Sequence, residues 1–219
     1  VGNNSFFYPS ASLSYVFSDH LAMPSWLSFG KLRASLAEIG KDTDPYRIST
    51  YYNSSTITST GQIIWTREDA KGDASLKPER TTTLEFGTEL RFLQNRVGLD
   101  FTWYKLNSRD QIIPLFVSPT TGFTQVIINA GELENKGIEI VLNANPVKKR
   151  DFSWDVSLNF SRNRNRVVKL REGLTEITVG SHFGYVGATA TMKYVPGYAV
   201  GNIYGTSYQR YYGTGVVDD

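Results

Sequence analysis

Five carboxylates, Glu85, Glu89, Asp100, Glu139 and Asp155, stand at polar positions of segments in which apolar and polar residues alternate. Two carboxylates flanking one bond are the apparatus of glycoside hydrolysis, one as acid and the other as base or nucleophile. The regular spacing of these five suits a different task, the polar wall of a wide lumen, where charged groups are hydrated and paired with cations such as Arg91. Catalysis is not expected of them. The histidines, His20 and His182, each stand alone in a turn-like or Gly-rich context and read as surface or packing residues. No HExxH or GxxxxGK[ST] string occurs, and Gly213-Thr214-Gly215 is too short for a nucleotide loop. Asp42-Thr43-Asp44 begins like a calcium loop but lacks its further ligands and distal Glu, so a solvated acidic turn is expected. With no cysteine, disulfides, thiol catalysis and thiolate metal sites are excluded. No cofactor or metal is expected.

The charge balance removes another class. Lys and Arg number 23 against 21 Asp and Glu, a formal net charge of +2, which is too even for an electrostatic nucleic-acid binder. The 219 residues are 40% hydrophobic and 13% aromatic, ample for one domain of ordinary polarity. No stretch approaches the ~18 uninterrupted apolar residues of a membrane helix, so only a β-barrel could carry this chain across a bilayer. The chain opens on Val1 without a targeting segment and closes on Val217-Asp218-Asp219 without a structural stop, as an internal part of something larger would.

The alternation that positions the carboxylates also defines the elements. Phe152, Trp154, Val156, Leu158 and Phe160 share one parity, with Ser153, Asp155, Ser157, Asn159 and Ser161 on the other. Ile138, Ile140 and Leu142 alternate in the same way with Glu139, Val141 and Asn143, across a basic turn at Lys148-Lys149-Arg150. Leu84, Phe86, Leu90 and Phe92 form a further apolar series, as do Val97, Leu99, Phe101 and Trp103 beyond a tight turn at Gln94-Asn95. Leu13, Tyr15 and Phe17, then Leu32, Ala34 and Leu36, make an opening hairpin. Side chains on a strand point to opposite faces with period two, so these are antiparallel hairpins with one oily and one polar face. An all-β antiparallel meander is predicted, with strands at about 9–17, 27–39, 81–92, 97–104, 137–143 and 152–162 and a further strand at about 190–205.

The oily face has two candidate partners: the second sheet of a soluble sandwich, or lipid around an outer-membrane barrel whose polar face lines a lumen. The connections favour lipid. They alternate between short and long, the long ones at about 40–80, 105–136 and 167–189, so all short turns fall at one end of the meander. Short periplasmic turns and long extracellular loops are the asymmetry of an outer-membrane barrel. Phe152 to Phe160 is nine residues bounded by aromatics, close to the ~9–11 tilted residues that cross a bilayer. Beyond Phe160 the same parity becomes Arg162, Arg164 and Arg166. Those guanidiniums would sit level with the phosphates of lipopolysaccharide, or else form a solvated strand end. In the long loops Tyr46, Tyr51, Tyr52, Trp65 and Phe123 could stack on a ligand's rings or pack the loops together.

The string LKPERTTTLEFG, Leu76 to Gly87, resembles the segment with which TonB-dependent outer-membrane receptors return from an extracellular loop into a barrel strand. NRVGLDFTWYKLNSRDQI, INAGELENKGIEIVLNANPV and FSWDVSLNFSRNRNRVVKL are similar to successive hairpins of the SusC/RagA branch, the glycan and peptide importers of Bacteroidetes. GKLRASLAEIGKDTDPY and GYAVGNIYG fit the same branch, so the likeness covers most of residues 1–219. It implies part of the C-terminal half of a barrel of about 22 strands filled by a plug. It also implies a SusD-like surface lipoprotein over the top, and TonB engaging a plug that is not among these residues. The seven expected strands cannot close a barrel, since the smallest need about eight. The expectation is thus an outer-membrane importer of oligosaccharides or peptides with no enzymatic activity. Its lipid-facing side chains would be the apolar series above from Leu84 onward, and its lumen-facing ones Glu85, Glu89, Arg91, Asp100, Glu139, Asp155 and Asn159. A soluble β-sandwich binding carbohydrate through aromatic loops is the alternative.

Overall fold

A computed structural model describes residues 5–185 and 188–205, with backbone alone at 180–185 and 188–189. Val1, Gly213-Thr214-Gly215 and the closing aspartates lie outside the described residues, as does the side chain of His182. Among the described residues twelve strands follow one another: β1 (Ser10–Val16), β2 (Leu27–Lys41), β3 (Tyr52–Thr56), β4 (Ile63–Arg67), β5 (Ala70–Lys71), β6 (Glu79–Phe92), β7 (Val97–Phe116), β8 (Gln125–Lys148), β9 (Ser153–Leu170), β10 (Ile177–Tyr185), β11 (Ala188–Tyr194) and β12 (Asn202–Tyr204). The main sheet runs β1-β2-β6-β7-β8-β9, every neighbouring pair antiparallel, with the two-residue β5 parallel to β8 at its far end. The sheet is open, and among the described residues a second sheet packs on one end of it alone, not across it as in the sandwich alternative.

The antiparallel order sets all the short connections, 17–26, 93–96 and 149–152, at one end. In the connection at 93–96, Leu93, Gln94 and Asn95 are all left-handed, with φ of 51°, 56° and 65°. At the other end the strands reach further than the alternation predicted. The expected loop at 105–136 is instead the continuation of β7 to Phe116 and of β8 back to Gln125, leaving a connection at 117–124. β9 likewise runs to Leu170, past its expected end at 162. Alternation misses these arms because a bulge at 108–111, with Asp110 at φ 55°, shifts the register between the series Lys105, Asn107, Arg109 and the residues from Ile112 onward. The region 40–80 contains the β3–β4 hairpin and β5, and 167–189 contains β10. The strand expected at 190–205 is two strands, β11 and β12, joined by a turn at 195–201.

The packed core lies in this extension. Ile113, Ile128, Ala130 and Ile177 are buried together, with Leu115, Val126, Leu170, Leu174, Val179 and Tyr194 against them. The three-stranded sheet β10-β11-β12 thus docks on the arms of β7 and β8. Val167 of β9, fully buried, exchanges backbone hydrogen bonds with Gly197 and Tyr198 at 2.8 and 2.9 Å. The rest of the main sheet is a single layer.

Within that layer aromatic rings cover glycines. Phe17 lies on Gly30 and Tyr8 on Gly40, and a Cβ at Gly137 would come 2.6 Å from Tyr104 Oη and 2.5 Å from the carbonyl oxygen of Arg162. The Tyr104 hydroxyl donates to Asn163 Oδ1 at 3.3 Å, so the ring bridges from β7 over β8 to β9 only because residue 137 has no side chain. Replacing Gly137 with Val must displace either that ring or the β9 backbone and should cost about 1–3 kcal/mol. Gly98→Ala, where a Cβ meets nothing within 4 Å, should not. Urea unfolding midpoints of the two variants in detergent micelles test this.

Candidate functional site

Register sorts the side chains of the main sheet into two faces. The rows Val156-Ala144-Val97-Phe92, Leu158-Leu142-Leu99-Leu90 and Phe160-Ile140-Phe101-Thr88-Leu32-Tyr15 run straight across the hydrogen-bonded strands. Next comes Ile138-Trp103-Phe86-Ala34-Leu13. With Leu84 opposite Leu36, and Trp154 and Phe152 continuing the parity of β9, every residue predicted for the oily side shares one face. That face is uncovered: Trp154 is 55% exposed, Leu158 60% and Phe86 49%. Burying such a side chain is worth about 1.5–3 kcal/mol, so an uncovered band of them in water would be strongly unfavourable.

The other face carries Glu85, Glu89, Arg91, Asp100, Glu139, Asp155 and Asn159. The Arg33 guanidinium donates to Asp100 Oδ1 at 2.7 Å and to the Thr102 hydroxyl at 3.2 Å. Arg91 donates to Glu89 at 2.8 Å while lying over the Phe29 ring, and Asn145 donates to Asp155 at 2.5 Å. Glu139 and Asn159 have no polar partner among the described residues, and both are exposed. A concavity of about 710 Å³ opens on this side between Arg33, Glu85, Thr102, Tyr104 and Glu139. None of these carboxylates is enclosed in an apolar pocket, so they form a hydrated wall.

The loop aromatics divide. Tyr46 and Tyr51 pack on each other, 5.8 Å between ring centres, and Phe123 lies under the Arg67 guanidinium at 4.3 Å. Arg67 also donates to the carbonyl of Gly122, tying the β3–β4 hairpin to the tip of the β7–β8 arms. Tyr52 and Trp65 stay open, 63% and 68% exposed. Tyr52 pairs with Arg67 and Ser54 with Trp65, so Tyr52 and Trp65 share a face of the hairpin. Asp42 accepts from the Thr43 backbone N–H at 2.8 Å and Asp44 is exposed beside Arg47, while no cluster of three metal-ligating side chains forms among the described residues.

The strings LKPERTTTLEFG and INAGELENKGIEIVLNANPV are joined by side chains that alternation could not reveal. Asn129 Oδ1 accepts from the Lys77 backbone N–H at 2.8 Å, and its Nδ2 donates to the carbonyls of Lys77 at 2.8 Å and Asp110 at 2.7 Å. Glu79 accepts from the Ile112 N–H at 2.9 Å beside the bulge. Just before Lys77, the Ser75 hydroxyl and then its backbone N–H, 2.6 and 2.8 Å from Asp73 Oδ1, hold the Asp73 carboxyl below the usual carboxylate range. These contacts fasten the returning loop to the arms.

Above the apolar band the same face turns charged. Arg166-Glu134-Asn107-Thr82-Glu38 form one row and Arg164-Lys136-Lys105-Leu84-Leu36 the row below it, while in the next row only Arg162 is charged. The charged edge is therefore oblique to the rows. Glu134, 7% exposed, has Lys105 at 3.0 Å, Arg166 at 3.3 Å and Lys136 at 3.7 Å. Glu132 has Lys169 at 3.1 Å and Arg109 at 3.8 Å. Only the three arginines were singled out from sequence; continuing the parity of Trp103 and Ile138 would have found Lys105 and Lys136.

An open sheet with one uncovered apolar face and all long loops at one end is a piece of barrel wall, and its residues 1–218 match the family model for the TonB-dependent receptor-like β-barrel. The chain belongs to that family. TonB-dependent receptors are outer-membrane transport proteins and not enzymes, so these strands belong in the outer membrane. The chain is 29% identical to TonB-dependent receptor P3 of Formosa agariphila over 220 residues, 96% of this chain and 21% of that one. It is 32% identical to TonB-dependent receptor SusC of Bacteroides thetaiotaomicron over 142 residues, 63% of this chain and 14% of SusC. Its fold resembles that of the RagAB peptide importer in the 'open-open' state, with a TM-score of 0.69, 21% identity and coverage of 90% of this chain and 21% of that one. The chain thus spans about a fifth of the length of the TonB-dependent receptor P3, and the SusC/RagA branch inferred from the motif strings is represented among its relatives.

In this receptor segment Asn129→Ala would leave the Lys77 and Asp110 backbone groups without their partner. The expected cost is about 1–3 kcal/mol, confined to the returning loop. Limited trypsinolysis should show faster cleavage after Lys71, with the strands themselves unaltered.

Proposed function

We propose that this chain supplies wall strands and outward loops of a TonB-dependent importer of oligosaccharides or peptides that works with a SusD-like surface lipoprotein. The observation that carries the proposal is the single-layered sheet whose apolar face, continuous over six strands, is left uncovered and ends in a charged edge. In a bilayer this face meets lipid, from Phe152, just before β9, and Trp154, Val156, Leu158 and Phe160 on β9 across to Leu84, Phe86, Leu90 and Phe92 on β6. Every backbone N–H and C=O within the band is then paired with a neighbouring strand, as hydrocarbon requires, once further strands close the edges at β1 and β9.

The opposite face, with Glu85, Glu89, Arg91, Asp100, Glu139, Asp155 and Asn159, then lines the lumen around a plug. Such a plug would carry the TonB contact. Tyr52 and Trp65, on one open face of the β3–β4 hairpin, are suited to stack on sugar rings or on peptide side chains. Tyr46, Tyr51 and Phe123 instead brace the loops. RagAB is a peptide importer; that and the open aromatics support a ligand of either class. No covalent chemistry is assigned to any residue.

Depth dependence tests the membrane assignment. Leu158→Arg, at mid-band, should cost about 2–4 kcal/mol and Phe152→Arg, at the interface, about 0–1 kcal/mol. Ser157→Arg, facing the lumen, should be mild. Equal losses at Leu158 and Phe152, measured as folded protein recovered from outer membranes, would count against lipid. For the ligand assignment, Trp65→Ala and Tyr52→Ala in the full-length receptor should weaken capture of an oligosaccharide or peptide mixture while leaving the folded yield unchanged.

A further inference from the structure

The rim above the apolar band holds more positive charge than its own structure uses. Lys105, Lys136 and Arg166 converge on the buried Glu134, and Arg109 and Lys169 on Glu132. Arg162 and Arg164, both exposed, have no carboxylate within 4 Å among the described residues. Seven cations thus surround two carboxylates. Like charges this close repel, and a purely structural rim would gain by neutralising them; Glu38 and Arg80, on the same face, do pair at 3.0 Å. The two glutamates fix the inner cations in place, so the surplus field is directed outward from the sheet. Arg162 and Arg164 stand two residues apart on one side of β9, about 6.6 Å along the strand, directly beyond Phe160 at the hydrocarbon edge.

We infer that this rim binds the phosphates of lipid A in the outer leaflet, with Arg162 and Arg164 as direct ligands and Lys105, Lys136 and Arg166, anchored on Glu134, behind them. The inference rests on the reading of the apolar face as lipid-facing. Guanidinium forks match phosphate oxygens bidentately, and placement at the hydrocarbon boundary selects a phosphate carried on acyl chains over one free in solution. A ligand so held would bridge β7, β8 and β9 on the outside of the wall, away from the lumen.

The test uses the full-length receptor inserted into phosphatidylethanolamine vesicles containing diphosphorylated or dephosphorylated lipid A, followed by gentle extraction and native mass spectrometry of retained lipid. Arg162 and Arg164 form no ion pair among the described residues, so R162Q/R164Q should insert normally. It should retain about tenfold less diphosphorylated lipid A. K148Q/K149Q/R150Q, at the opposite end of the band, should retain as much as the parent, and dephosphorylated lipid A should be retained by none. Equal retention by R162Q/R164Q and parent overturns the inference while leaving the membrane reading intact. So does equal loss in both variants, which would mean diffuse charge, or displacement by inorganic phosphate alone, which would mean a small-anion site. Failure of the parent to insert into any vesicle overturns both.

Discussion

A β-strand places consecutive side chains on opposite faces, so the function of a single-layered sheet rests on register. A slip of one residue between β8 and β9 would carry Phe160, Leu158 and Val156 to the side of Glu139, and Asn159 and Ser157 to the side of Ile140. Thirteen uninterrupted pairs join β6 to β7 and twelve, from Val97–Ala144 to Ser108–Leu133, keep β7 in phase with β8 through the band. The irregularities of those strands, at 108–112, at 132–133 and around 145–146, fall towards the two ends of the band, the last between the Val156–Ala144 and Trp154–Val147 pairs. A break in pairing is least costly there, close to the interfaces. Glycines inside the band serve the same constraint, since a ring such as Tyr104 can lie flat over Gly137 on the lumen side without parting the strands.

Beyond the rim the solvent changes, and so does the way the chain is stabilised. Within the band no cluster of buried residues exists among the described ones, which fits the proposal that lipid takes the place of a second layer. In the arms Ile113, Ile128, Ala130 and Ile177 bury against one another as in a soluble protein. Polar clamps such as Asn129 on Lys77 and Asp110, and Glu79 on Ile112, then position the loops. This division lets the loops vary their exposed residues, Tyr52 and Trp65 among them, without disturbing the wall.

What the sequence made legible follows from the same division. The two faces could be read from Ile138 to Leu142 and from Phe152 to Phe160 because apolar and polar residues alternate strictly there, as the proposed bilayer contact requires. The arms could not: Asp110 breaks the phase, Pro114 sits inside the run that pairs with Ile127, and the partners of Ile113 come from a sheet far along the chain. The loop aromatics were recognisable by type, but only the fold separates Phe123, held under Arg67, from Trp65, which is open. Glu134 gave no sign of its role, because the cations around it come from three strands.

The slope of the charged edge connects these levels. Hydrogen-bonded rows run perpendicular to the strands, so in a barrel whose strands tilt by about 40° a plane parallel to the membrane must cross them obliquely. With strands about 4.8 Å apart, that tilt displaces the plane by about 4 Å, or a little over one residue, at each step to the next strand. Charge begins at Arg162 on β9, one row higher at Lys136 on β8 and Lys105 on β7, and one row higher again at Glu38 on β2, with Thr82 beside it on β6. Two rows are four residues over four strand spacings, the slope a tilted wall demands. A soluble sheet has no reason to place its boundary between apolar and charged side chains along such a line. On the proposed reading the bilayer sets that boundary, and the strand tilt of the closed barrel is already written into which residues of this open segment are charged.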